Sequence, residues 1–226
     1  MIQQLLAVLS PMLLGAQLIL TLILVKGDLC PGQRGRIHKM LPTIALLWLA
    51  VSSLRIEATM IVFAIAYFYS QVQTKKTRVQ GPMWVMYLAN GLALAYVAIE
   101  IGNQPSLAAS LNTLVAIFLL GALLGHLLLT IARTRLQAFH RILPVTGIVA
   151  AMLMSLTILL QAYTMDPQTL TQVTEPLLVG LAMLITSIVI WCWHLLTTKP
   201  VNKLQLGCAL ALLLLAVSSN QALFLL

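Results

Sequence analysis

Charge is scarce in this sequence. Asp, Glu, Lys and Arg make up 8% of the 226 residues, against roughly 25% in an ordinary soluble domain. That excludes a water-soluble globule, which could not cover its surface with so little polar material. The solvent for most of the chain is therefore lipid. Cysteine is also sparse. Cys30, Cys192 and Cys208 are scattered and odd in number, which excludes a disulfide framework, and no CxxC pair exists for metal or redox work. There is no G-x-S-x-G, no H-E-x-x-H and no Walker A sequence. The formal charge of +8 does not point to nucleic acid, because the basic residues sit in short clusters between apolar runs and no basic–aromatic interleaving occurs.

What is present is apolar. Hydrophobic residues are 61% of the chain and fall into eight runs, near 4–25, 39–54, 58–73, 83–101, 107–132, 142–165, 177–197 and 204–226. A membrane span needs about 20 apolar residues, with a range of about 17–25. The second and third runs are short, and only Arg55-Ile56-Glu57 separates them. They are either two spans joined by a tight turn or one long interrupted span. Charge decides between these. Of the thirteen Lys and Arg residues, all but Arg55 lie between odd and even runs: Lys26, Arg34, Arg36 and Lys39; then Lys75, Lys76 and Arg78; then Arg133, Arg135 and Arg141; then Lys199 and Lys203. Glu57, Glu100, Asp166 and Glu175 fall in or beside the other loops. With eight spans every odd loop is basic, and the positive-inside rule places both termini outside. With seven spans the first and third loops would be basic on opposite sides. The expected fold is thus one all-α polytopic membrane domain over 1–226, with eight transmembrane helices and periplasmic N and C termini. The first run is expected to be a retained helix, since no positive segment precedes it and no A-x-A site follows.

Ionisable groups at membrane depth are functional candidates, because placing one there costs roughly 2.5–3.5 kcal/mol. Arg55, Glu57 and Glu100 end their helices on the outer side and are expected to form a polar pocket able to hold a quinone head group or take a proton. The competing reading is a turn whose charges simply face water. Gln161, Asn220 and Gln221 lie toward the same side and are candidates to join it. His38, His126, His140 and His194 all lie toward the inner side. His126 and His194 sit at similar depth on different helices, as a haem clamp would require, but no outer pair exists for a relay, and a satisfied or interfacial histidine is the preferred reading. Gln17, Asn90 and Asn112 are expected to bond between helices, and Gly121 and Gly125 to permit close packing. Trp84, Trp191 and Trp193 fit interfacial anchoring.

Three stretches carry a family resemblance. They are Leu24-Val25-Lys26-Gly27-Asp28-Leu29, then Gly125-His126 through Ala132 with the later Leu143-Pro144, and Leu160-Gln161-Ala162 running into a polar loop from Asp166 to Thr174. Together with eight spans and outside termini, they resemble the membrane anchor subunits of dimethyl sulfoxide reductase-type enzymes. The resemblance implies a subunit that oxidises menaquinol without haem or metal of its own. It would pass the electrons to an iron–sulfur subunit and a molybdopterin catalytic subunit at the periplasmic face of the bacterial inner membrane. Where that family has a histidine near the outer end of the second span, the nearest polar residue here is Arg55. Arg55, Glu57, Glu100 and Gln161 are then the expected quinol-binding and proton-accepting residues. A small transporter or channel and a purely structural tether are the alternatives.

Overall fold

The computed structural model describes residues 2–74, 81–134, 136–197 and 200–225. Arg135, Lys199, Lys75, Lys76 and Arg78, which entered the charge argument, lie outside the described residues. The chain is all-helical among the described residues: α1 (Ile2–Lys26), α2 (Pro31–His38), α3 (Leu41–Ser52), α4 (Thr59–Thr74), α5 (Met83–Gly102), α6 (Leu107–Ile131), α7 (Gln137–Tyr163), α8 (Pro167–Leu196) and α9 (Lys203–Gln221), with short 3-10 turns at Ile56–Ala58 and Ala222–Leu225. Six of these, α1 and α5 to α9, are long and apolar enough to cross a membrane. The chain is an integral membrane protein with several spans.

α1 and α6 form the centre. They are the most buried of the long helices and make the most extensive helix pair. Glycine allows this. A Cβ on Gly121 would lie 2.5 Å from the Gly15 Cα, so the two backbones touch where these residues cross. Gly125 meets Ile19, one turn further along both helices, so α1 and α6 run parallel. α3, α4 and α5 pack on the α1 side, and α7, α8 and α9 on the α6 side. The helix contacts repeat: α1 touches α3 and α5 as α6 touches α7 and α9, and α4 bridges its neighbours as α8 does. An approximate four-plus-four arrangement thus exists that the sequence does not display by eye.

α3 and α4 fold back on each other as a hairpin. His38, just before α3, meets Phe68 late in α4, with ring centroids 5.6 Å apart. The two short runs are therefore not one interrupted helix. α3 has 12 residues and α4 has 16, or about 18 and 24 Å at 1.5 Å per residue, against a hydrocarbon core of about 30 Å. A polar junction fixes the hairpin to the centre. The fully buried Gln17 of α1 accepts from the Trp48 indole of α3 at 2.9 Å and donates to Asn90 of α5 at 2.9 Å. Ser10 contacts Glu100 while Gln17 contacts Asn90, so α5 runs antiparallel to α1.

Two boundaries differ from the sequence reading. The first basic loop contains α2, whose Ile37 and His38 are fully buried. The seventh run begins at Pro167, not near 177. The Asp166 carboxylate accepts from the Thr169 amide at 2.9 Å and its hydroxyl at 2.6 Å, and Pro167 supplies a preset first-turn φ. The polar stretch 166–174 is therefore helix rather than loop. Trp191 also departs from expectation. It is fully buried, whereas Trp84 and Trp193 are exposed as interfacial anchors would be.

Candidate functional site

The bundle has a basic end, carrying Lys26, Arg36, Arg133 and Lys203, and an opposite end carrying Glu57, Glu100 and Asp166. At the second end α3 stops at Ser52, and Arg55 adopts an extended conformation (φ −144°, ψ 117°) before the 3-10 turn and α4. This break opens a cavity of about 600 Å³ between the turn, α4 and α5. Arg55, Glu57 and Thr59 form its polar mouth, and Met60, Phe63 and Ile99 are among its apolar walls. Arg55 and Glu57 are both exposed there, with no ion pair between them.

Tyr96 of α5 lines the same cavity. It is 6% exposed, yet its hydroxyl has no hydrogen-bond partner of good geometry. The Glu100 carboxyl, one turn along α5, interacts with it. Its ring packs edge-on against Trp48 at 5.8 Å, and Trp48 is held by Gln17. The hydroxyl is thus positioned through the central junction. Glu100, Arg55 and Glu57 are the charges that bear on it.

The four expected site residues do not all meet here. Arg55 and Glu57 share the cavity. Glu100 lies one turn beyond Tyr96 but takes a hydrogen bond from the Ser10 hydroxyl of α1, so it backs the cavity rather than lining it. Gln161 belongs elsewhere: its side-chain oxygen accepts from Ser106 at 3.0 Å, at the start of α6. Asn220 packs against Gly180 of α8, and Gln221 lines a separate cavity of about 260 Å³ with Gln4, Gln104 and Asn112. These three sit on the α6–α9 side of the bundle, across the central pair from Arg55. Tyr96 was not singled out in the sequence. The available signal was its spacing, four residues before Glu100 on one helix face.

At the basic end His126, His140 and His194 do come together. Trp191 donates to His126 Nδ1 at 2.9 Å, and His126 Nε2 lies 2.9 Å from His140 Nδ1. The acceptor role of Nδ1 puts the neutral ring's proton on Nε2, which then donates to His140. His126 and His194 face each other with centroids 5.5 Å apart, but both nitrogens of His126 are already engaged by protein. The pair is knit into a hydrogen-bonded cluster instead of presenting open ligand positions. Among the described residues no group of three or more His, Cys, Asp or Glu is placed to hold a metal ion.

A family model described as an integral membrane domain matches residues 1–221, and the chain belongs to that family. It is also similar to an uncharacterized protein of Haemophilus influenzae, 34% identical over 155 residues, which cover 64% of this chain and 58% of that protein. The chain thus spans less than two thirds of that relative's length. No solved structure matches.

Proposed function

We propose that this integral membrane domain is the quinol-oxidising anchor subunit of a respiratory molybdoenzyme in the bacterial inner membrane. The observation that carries this reading is the buried Tyr96 hydroxyl, beside Glu100, in a cavity with apolar walls and a charged mouth. A quinol needs both: an apolar channel for its tail and ring, and a few polar groups at its oxygens. Tyr96 hydrogen-bonds one quinol oxygen. Glu57 accepts a hydroxyl proton and releases it to the aqueous side that it already faces, and Arg55 favours the carboxylate in between. Oxidation of menaquinol yields the quinone, two protons and two electrons. The electrons leave to an iron–sulfur subunit docked at this end, which in turn serves a molybdopterin catalytic subunit.

The same reading places this end in the periplasm, with both termini there, and counts α3 and α4 as spans. Two features support eight spans. α3 and α4 occupy the positions that the long helices α7 and α8 occupy in the second half. The parallel α1 and α6 require an odd number of crossings between them, which three spans satisfy and the two of a seven-span chain do not.

The test is menaquinol-dependent reduction of an acceptor by the chain with its partner subunits. Tyr96→Phe and Glu57→Ala are expected to lower the rate at least tenfold, and Arg55→Ala to weaken quinol binding. If all three variants keep the wild-type rate while remaining folded, the cavity is not the quinol site.

A further inference from the structure

A third cavity, of about 670 Å³, lies at the basic end, where the last turns of α6 and α8 meet the first turn of α9. We infer that it binds a phosphate group, with the headgroup of an acidic phospholipid as its occupant. This does not depend on the quinol reading, which concerns the other end of the bundle.

The donors define the chemistry. Arg133 and Lys203 both line the cavity, and neither pairs with a carboxylate among the described residues. Only five acids exist in the whole chain; Glu57, Glu100, Asp166 and Glu175 lie at or toward the opposite end, and Asp28, after α1 at the basic end, does not line the cavity. Asn202 caps α9 by accepting from the Leu204 amide at 3.1 Å, so the start of α9, with its unmatched N–H groups, also borders the space. The other polar groups are already engaged. The His194 ring N–H has the carbonyls of Trp191, at 2.9 Å from Nδ1, and His140, at 3.2 Å from Nε2, to donate to, and Thr130 and Thr197 donate to backbone carbonyls. Two unmatched cations and a helix N-terminus remain, which is the recognition set of a phosphate.

The backbone of Arg133 is a second, independent observation. Its φ is +50°, and among the described residues no other non-glycine residue has a positive φ. α6 ends here in a Schellman motif: Thr134 N bonds Leu129 O at 3.2 Å and Arg133 N bonds Thr130 O at 3.2 Å. Glycine is the usual residue at that position, and any other carries strain. A cation one residue later would complement the α6 carbonyls equally well without a left-handed conformation. Charge at the helix end therefore does not account for arginine at 133. A guanidinium held over the cavity does, and Arg36 of α2 fixes the same turn by donating to the Arg133 carbonyl at 3.2 Å. The exposed Ile131 and Trp193 at the rim give the site an apolar side, as a lipid headgroup entering from the bilayer requires and a free ion does not.

The experiment compares lipids on the purified full chain in detergent. Bound phosphatidylglycerol and phosphatidylcholine are counted by native mass spectrometry, and thermal stability is followed with inorganic phosphate in a parallel arm. Wild type is expected to prefer phosphatidylglycerol, and Lys203→Gln and Arg133→Gly each to reduce that preference by about tenfold. Arg141→Gln, an exposed cation outside the cavity, is expected to leave it intact. Arg133→Gly separates binding from folding, because glycine relieves the backbone strain: it should melt no lower than wild type while binding less. Stabilisation by inorganic phosphate that Lys203→Gln abolishes, with no preference between the two lipids, keeps the phosphate site and assigns it a soluble ligand. The inference is overturned if neither probe binds preferentially, or if binding is unchanged in both variants. Should Arg133→Gly fail to fold, Lys203→Gln alone decides.

Discussion

Gly121→Ala tests the crossing on which the bundle is built. The added methyl would sit 2.5 Å from the Gly15 Cα, 2.8 Å from its carbonyl carbon and 3.1 Å from the Ala16 nitrogen. All three are backbone atoms, so no rotamer change relieves the clash. α1 and α6 must part by about 1 Å to restore ordinary contact. A gap of that size forfeits roughly a quarter to a half of the dispersion energy of each contact along the seam. Overpacking of this kind costs about 1–3 kcal/mol, and the higher helix propensity of alanine returns at most about 1 kcal/mol. A net loss of about 1–2 kcal/mol is expected. Two internal controls calibrate it. At Gly91 nothing lies within 4 Å, so Gly91→Ala should not destabilise. At Gly125 the nearest neighbour is the Ile19 side chain at 3.2 Å, which can move, so Gly125→Ala should fall between. Reversible unfolding in mixed micelles gives all three free energies under one condition. If Gly121→Ala is as stable as Gly91→Ala, the helices do not cross at these residues.

Trp48→Phe leaves the buried Gln17 oxygen without its donor and should destabilise by about 1–3 kcal/mol, measured by the same unfolding assay. Retention of full stability would show that the junction is not formed. His38 is buried beside Arg34, and these two effects, burial first, push its pKa from 6.5 down to about 4. The unfolded chain then binds the proton more readily, so stability is complete above pH 6.5 and declines as pH falls toward 4; His38→Phe should flatten that decline. The Thr169 hydroxyl and amide hold the Asp166 carboxyl below its ordinary value. Its contribution is therefore full above the unfolded pKa of about 4 and lost as pH drops through the lower folded value. Asp166→Asn, which caps equally well, should keep neutral-pH stability and remove that acid-dependent part. An unchanged acid profile would mean that the cap is not formed.

Much of the fold was legible because lipid imposes a simple rule, and six helices stand where long apolar runs predicted them. The turn at Arg55 was legible too, since two charges flanking Ile56 interrupt the apolar pattern. What hydropathy hid was polar helix. The Asp166–Pro167 start of α8 carries an ordinary N-cap signature, but the threonine-rich turns after it have too little hydrophobicity to register as part of a span. α2 was hidden for the same reason among its arginines. The site was half legible. Arg55 and Glu57 stand out because charge is rare, whereas Tyr96 resembles any interfacial aromatic until its hydroxyl is seen to be buried. Gln161 was misplaced because depth along a helix says nothing about which side of the central pair the helix occupies.

Gln17 also sets an order of events during synthesis. The ribosome delivers α1 first, and the Gln17 oxygen has no Trp48 indole to accept from until α3 has been made. The amide nitrogen of Gln17 must then wait for Asn90, which arrives only with α5. Before that the short hairpin has only its packing against α1 and the Trp48–Gln17 hydrogen bond to hold it, and α5 closes it in.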